Sequence, residues 1–457
     1  MIRLFNHYLS VRTLLLTTIE AAVLFQAVVM GFEVRFVRLG GPLPIAEAGV
    51  FTVVMLLLMT ALGLYQEQTE PFRSTVQRLL VAYGLALMVM SAVFYVFPAT
   101  YIGRGVFAMT SVLALAGVVM VRLLFFRVTD LGLPRRRVLV VGNGPECEEV
   151  IRFLHEGERS RSIQYAGIYP VIAEREAGEP ERRINHDQLR RTVDDLRVSE
   201  IVIAVRERRG GVLPLRHLLD CKLKGVKVMD LTSFYERELG VLKVDNLRAS
   251  WLIFSHGFDQ GLVRDMIKRS FDVLASLSLL ILALPVLALA MLAILLESGR
   301  PIFYRQERVG QGGVPFMILK LRTMVQDAEK DGQPRWAGQN DARITPVGRF
   351  LRRTRIDELP QLINVLRGDM SLVGPRPEQP EYVALLSEEI PYYRERHCVR
   401  PGITGWAQLS YPYGASQRDA EEKLQYDLYY IRHQSLFFDA LILLQTVEVV
   451  LFRKGAR

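Results

Sequence analysis

Apolar and charged residues are segregated along this chain. Four apolar runs, at 14–32, 48–64, 79–97 and 106–126, fill its first part. Each is roughly 17–21 residues, the length a helix needs to cross a bilayer. They predict a membrane α-helical bundle of four transmembrane helices within residues 1–130. Glu20, Gln26 and Arg122 are the polar intrusions. Glu20 is expected to face another helix, because a carboxylate facing lipid is costly. Arg122 is expected to snorkel towards a helix end. An even number of crossings returns the chain to its starting side. Arg127, Arg135, Arg136 and Arg137 stand at the exit, which assigns that side to the cytoplasm.

The period then changes. Residues 138–141 are a β-branched apolar run that ends on Gly142-Asn143-Gly144, the pattern of a buried parallel strand entering a tight turn. A helix is expected over 149–154 and again over 213–224, with further strands at 200–205 and 226–229. Alternating strands and helices predict a Rossmann-like α/β domain over 134–252 on the cytoplasmic side. Gly142 and Gly144 fit the first two glycines of the dinucleotide fingerprint, but Cys147 stands at the third. A structural or regulatory domain is therefore expected, without NAD.

The last part, 262–457, opens on one more apolar run, 271–296, with Pro285 near its middle. By length it could cross. Proline removes a backbone hydrogen bond and kinks a helix, and basic residues flank both ends: Arg264, Lys268 and Arg269 before, Arg300, Arg305 and Arg308 after. Both flanks suit the cytoplasmic face. A re-entrant membrane helix over 268–298, with its membrane break at Pro285, satisfies both observations. The run 436–452 contains Asp439, Gln445 and Glu448 and is expected to lie as an amphipathic helix on the bilayer or the catalytic core.

Composition agrees with a membrane protein. Half the residues are hydrophobic although 23% are charged, and mean hydropathy is +0.19. Lys and Arg exceed Asp and Glu by 57 − 48 = 9. With membrane segments present, this excess points to anionic lipid and phosphate partners, and no nucleic-acid motif accompanies it. Cys147, Cys221 and Cys398 have no metal-binding spacing, and neither do the histidines.

The candidate chemistry lies in Arg355-Ile356-Asp357-Glu358-Leu359-Pro360-Gln361. Two adjacent carboxylates precede a proline that favours a helix start. Arg349, Arg352, Arg353 and Arg355 lie within or just before the segment, and Gly368-Asp369-Met370-Ser371-Leu372-Val373-Gly374-Pro375-Arg376-Pro377 follows. A carboxylate pair among arginines suits an anionic phosphate substrate. One carboxylate can attack phosphorus and the other can hold a divalent cation such as Mg²⁺. Read alone, the pair also fits a solvated acidic first turn.

These segments, with Lys320-Leu321-Arg322-Thr323-Met324 upstream, resemble the bacterial sugar transferases, the monotopic polyprenyl-phosphate phosphoglycosyl transferases. The resemblance covers roughly residues 262–457. It implies a mostly α-helical monotopic catalytic domain with a re-entrant membrane helix, preceded in the larger members by membrane helices and a Rossmann-like domain. It implies that Asp357 is the nucleophile and that Glu358 binds Mg²⁺. Arg352 and Lys320 are implied in phosphate binding, and Arg322, Arg376 and Arg400 in diphosphate or uridine contacts. The reaction implied is transfer of a sugar-1-phosphate from a UDP-sugar to polyprenyl (undecaprenyl) phosphate, releasing UMP. It would initiate exopolysaccharide, O-antigen or capsule synthesis at the cytoplasmic face of the bacterial inner membrane. A homodimer through the middle domain is expected.

Two rival readings come from other classes. A membrane-bound NAD-dependent nucleotide-sugar dehydratase or epimerase would need a Tyr-x-x-x-Lys pair, and no tyrosine here has a lysine four residues later. A non-enzymatic polysaccharide-assembly scaffold would not need the Asp357–Glu358 dyad.

Overall fold

The computed structural model describes residues 2–4, 7–36, 44–66, 72–132, 135–156, 163–171, 187–205, 213–247, 252, 257–258, 261–325, 341, 343–411, 414 and 416–452. The chain divides into two compact units. One holds Ser10–Met59 and Leu64–Leu239; the other holds Ile2–Leu9, Thr60–Gly63 and Gly240–Arg457.

The four expected membrane runs fall on the helices Val11–Phe36, Ile45–Ala61, Phe72–Val96 and Arg104–Gly132, the second run continuing three residues past the end of its helix. Three of these are long and apolar enough to cross a membrane, and Ile45–Ala61, with 17 residues, is the short one. The first and fourth helices cross closely. A methyl at Gly117 would lie 2.6 Å from Val23, and one at Gly31 2.5 Å from the Thr110 hydroxyl. Small residues give apolar helices this approach where lipid supplies no hydrophobic drive.

Glu20 faces another helix, as expected, but Arg122 does not snorkel. Its guanidinium is buried against Glu20 at 2.7 and 3.1 Å, and its Nη1 donates to the Leu64 carbonyl at 3.1 Å. Tyr65 donates to the same carboxylate at 2.6 Å. In an apolar bundle a paired and hydrogen-bonded charge is retained where an isolated one would not be.

The rest of this unit is a four-stranded parallel sheet in the order Ile163–Tyr169, Arg136–Val141, Glu200–Ile203, Lys227–Asp230. Helices Pro145–Glu156, Asp187–Asp195 and Leu215–Leu223 accompany it. This is the expected α/β domain. Gly142 and Gly144 have φ of 149° and 91°, which a side chain would strain. Cys147 is fully buried at the third fingerprint position, its Sγ 3.5 Å from the Ala204 carbonyl.

The second unit is built on the helix Leu262–Ser298, 37 residues with Pro285 inside it and no interruption there. Near its start, Lys268 Nζ is 3.2 Å from Asp272 and 2.9 Å from Asp439, all three buried. Arg269 donates to the carbonyl of Leu366 at 2.8 Å. These basic residues, read as a membrane flank, are thus bonded to the protein; a buried lysine between two carboxylates satisfies the charge it cannot expose. Near the end, Leu287, Ala290 and Ile294 pack with Leu321 and Leu351. Glu297 accepts from the Val347 amide at 2.9 Å. The outward side of the same helix exposes Leu274, Ile281, Leu282, Leu289, Leu292 and Leu296.

An antiparallel hairpin, Phe303–Val309 with Pro315–Leu321, and a short parallel pair, Ser371–Val373 with Gly402–Thr404, accompany the helices. The main core joins Leu362, Val365, Leu372, Leu428, Tyr430 and Phe438. The helix Leu436–Phe452 packs on this core through Phe438 and Ile442.

Candidate active site

Local sequence rules set the dyad in place. Thr345 caps the helix Pro346–Thr354 by accepting from the Gly348 amide at 2.9 Å, with proline at the first helical position. A methyl at Gly348 would lie 2.1 Å from the Thr323 carbonyl, so glycine lets this helix lie directly on the chain that follows the Lys320 strand. Arg355 ends the helix in the left-handed region, φ 58°. For a residue other than glycine that conformation costs of order 1–3 kcal/mol. It reverses the chain into a 3₁₀ turn, Ile356–Glu358. After Pro360 the helix Gln361–Arg367 begins, and it stops at Gly368, φ 103°.

Neighbours in a 3₁₀ turn point roughly 120° apart, so the two carboxylates meet different surroundings. Glu358 is buried and faces three cations: Lys320 Nζ at 3.0 Å, Arg376 Nη2 at 3.4 Å and Arg355 Nη1 at 3.5 Å. Burial opposes its charge, yet Lys320, Arg376 and Arg355 hold its carboxyl well below the usual range. Asp357 is also buried, and among the described residues its Oδ1 has no hydrogen-bond partner. Burial and the neighbouring Glu358 push its carboxyl up to about 6, against the pull of Lys320, Arg352 and Arg355. One acid is thus held as an anion by fixed cations, while the other keeps an unpartnered oxygen.

Burial holds the Lys320 ammonium below its usual range, and Glu358 offsets only part of this. Arg352 donates through Nε to the Thr323 hydroxyl at 2.8 Å. Arg376 also donates to Gln408 Oε1 at 3.3 Å. Lys320 and Arg376, expected as phosphate ligands, therefore meet at Glu358. Arg322 and Arg400 are placed otherwise. Arg322 closes the C-terminus of the long helix, donating to the carbonyls of Ser298 and Gly299, both at 2.8 Å. Arg400 pairs with Asp265 at 3.0 and 3.3 Å. Arg349 and Arg353 are exposed.

Three supports were not singled out from the sequence. Asn364 is fully buried; its Oδ1 accepts from the Leu319 amide at 3.0 Å and its Nδ2 donates to the Met317 carbonyl at 2.8 Å. It ties the helix that follows the dyad to the strand that carries Lys320. Arg396 donates to the Arg376 carbonyl at 3.1 Å and to buried Asp427 at 2.7 Å, bracing the loop of Arg376. Gln408 accepts from Arg376 itself. A polar residue inside the apolar stretch 362–366 is the one sequence signal that could have found any of them, namely Asn364. Replacing Asn364 with alanine leaves the buried Leu319 amide unpartnered and is expected to cost about 3 kcal/mol, read as a lower midpoint in denaturant, with activity falling in parallel.

The family described as bacterial sugar transferase matches residues 263–453. The chain is 41% identical over 242 residues to a UDP-N-acetylgalactosamine-undecaprenyl-phosphate N-acetylgalactosaminephosphotransferase of Aeromonas hydrophila, over 53% of this chain and 56% of that protein. It is 47% identical over 195 residues to a UDP-glucose:undecaprenyl-phosphate glucose-1-phosphate transferase of Caulobacter vibrioides, over 42% of this chain and 72% of that protein. A UDP-galactose-lipid carrier transferase of Erwinia amylovora is 29% identical over 351 residues, covering 70% of this chain and 69% of its own length. The alignment thus spans a little over half of the Aeromonas protein and about seven tenths of the other two. The sequence that carries Asp357, Glu358, Lys320 and Arg376 lies within the matched segment, and the chain belongs to the bacterial sugar transferase family, of the polyprenyl-phosphate phosphoglycosyl transferase type.

Proposed function

We propose that this protein transfers a sugar-1-phosphate from a UDP-sugar to undecaprenyl phosphate in two steps through Asp357. The carboxylate attacks the phosphorus that bears the sugar, and UMP leaves. An oxygen of the lipid phosphate then attacks the aspartyl phosphosugar, and the carboxylate is released. The observation that carries this reading is the unpartnered, buried oxygen of Asp357 beside a Glu358 fixed by three cations. Splitting the transfer lets both substrates use one phosphate site in turn. Lys320 and Arg376 supply positive charge where phosphoryl oxygens become more negative. Names borne by the relatives, all undecaprenyl-phosphate or lipid-carrier transferases, support the same reaction class and do not favour the dehydratase or scaffold readings.

Magnesium enters this reading as a ligand of Glu358, whose carboxylate is held ionised; Mg²⁺ characteristically takes one or two carboxylates and completes its shell with water and substrate phosphate. Glu358 would hold it, and the ion would supply charge neutralisation for the diphosphate. UMP release from the purified protein with a UDP-sugar and undecaprenyl phosphate tests the reading. Release is expected with Mg²⁺ and is expected to fall to background in excess chelator. Full activity in chelator would remove the metal from the account, and no release with any of a panel of UDP-sugars would remove the transferase.

The long helix is read as a re-entrant element that stays helical through Pro285. A 37-residue helix extends about 55 Å, yet its first turns and its last turns both pack on one compact unit. A helix that crossed a bilayer would hold its two ends on opposite faces. Its exposed leucines are the surface that would enter the cytoplasmic leaflet. Cysteines introduced at Gly261 and Arg305, with Cys398→Ser removing the exposed native thiol, are expected to label from the same side of sealed vesicles. Labelling from opposite sides would make this a crossing helix.

A further inference from the structure

Residues 2–9 are absorbed by neither the membrane bundle nor the reaction, yet they belong to the catalytic unit. They form a strand pair, with Ile2 opposite Leu9, Arg3 opposite Tyr8 and Leu4 opposite His7. His7 is buried in an aromatic cup of the C-terminal helices. Its ring stacks on Phe438, with centroids 4.4 Å apart at 18°, and meets the edges of Trp406 at 5.8 Å and Tyr429 at 6.0 Å. Its Nδ1 lies 3.1 Å from the Tyr429 hydroxyl. Tyr8 meets His433 edge-on at 6.1 Å. Burial and His433 push the His7 imidazole down to about 4, so the ring is neutral at neutral pH, the form an aromatic cup accepts at least cost. The walls of the cup also touch one another: Trp406 and Phe438 are 5.3 Å apart.

A second N-terminal segment reaches the helix Leu436–Phe452 independently. Gly63, φ 70°, approaches Glu448 so closely that a methyl there would lie 2.0 Å from Oε2. Two segments from the N-terminal part of the chain thus seat on one C-terminal helix, one through an aromatic stack and one through a glycine contact.

We propose that residues 2–9 are an intramolecular ligand of the catalytic unit, anchored by His7, and that this unit reaches its full stability only with the strand pair seated. Removing the anchor opens a cup walled by Trp406, Tyr429 and Phe438 to water, and aromatic packing of this kind stabilises beyond the area it buries.

The test uses the full-length chain carrying Trp251→Phe and Trp336→Phe, so that Trp406 is its single indole. His7→Ala is expected to shift Trp406 emission to the red and to lower the unfolding temperature of the catalytic unit by about 3–6 °C. His7→Phe, which keeps the stack, is expected to retain both. A synthetic peptide of residues 1–10 is expected to restore blue emission to a chain lacking residues 2–9; if that chain does not accumulate, the two point variants decide. Emission and unfolding temperature unchanged in His7→Ala would overturn the proposal. Neither readout depends on phosphosugar transfer, so this inference and the transferase reading can fail separately.

Discussion

Asp357→Asn is expected to reduce UMP release by about 10³-fold or more while leaving the unfolding transition in place. The amide is nearly isosteric with the carboxylate but is a far weaker nucleophile. Among the described residues Oδ1 of Asp357 accepts no hydrogen bond, so no bond to them is lost with it. Removing the charge also relieves a buried like-charge contact with Glu358, so the variant is expected to be at least as stable as the wild type at neutral pH. The same group sets the acid limb of the wild-type profile. Burial and Glu358 hold its carboxyl near 6, and only the ionised form attacks. Activity should therefore fall as pH drops through about 6. Turnover by Asp357→Asn within tenfold of wild type would rule out the aspartyl intermediate.

Lys320→Met is expected to be the second most damaging substitution. Methionine keeps the length of the side chain and removes the ammonium 3.0 Å from Glu358. Glu358 is left with the longer contacts to Arg376 and Arg355, of which Arg355 is the more exposed. A fall of about 10²–10³-fold in turnover is expected, the usual effect of deleting one charge-stabilising donor. A second readout separates this role from general damage. Lys320 is among the cations that pull the Asp357 carboxyl down, so its removal should move the acid limb to higher pH. A loss of rate with the limb unmoved would mean that Lys320 acts on substrate alone.

The sequence was most readable where one period dominates. Runs of 17–21 apolar residues became helices because no other backbone arrangement satisfies itself in lipid. The run 138–141 became the central strand of the α/β sheet, closed by two glycines whose positive φ follows from the turn. Around the dyad the backbone was readable in part: Pro360 marks the helix start at Gln361 and Gly368 its stop, whereas the 3₁₀ turn Ile356–Glu358 was not expected and the roles of the two acids came from the resemblance of the surrounding segments.

The partners of arginines and lysines were the least legible. Their destinations are fixed by partners distant in the chain, which composition and spacing do not encode. Arg322 lies two residues from Lys320 on a segment named for phosphate binding, but its guanidinium closes the end of the long helix. Arg400 meets Asp265, 135 residues earlier. Arg122 finds Glu20 across 102 residues, so a cation expected at a membrane surface lies inside the bundle. Lys268 looked like a membrane flank and is a buried cation between Asp272 and Asp439. Asn364 was not singled out, because a polar residue in an apolar stretch does not by itself show the strand it holds.

The central claim is a covalent bond from Asp357 to phosphorus, and the most direct measurement is intact-protein and peptide mass spectrometry after incubation with a UDP-sugar and Mg²⁺ without any lipid acceptor. The account predicts UMP release of up to one equivalent, a mass increase of one sugar-phosphate on the peptide containing Asp357, its disappearance when undecaprenyl phosphate is added, and no adduct on Asp357→Asn. UMP formed only when the lipid acceptor is present, with no adduct under acid quench, would contradict it and point to direct transfer between the two substrates.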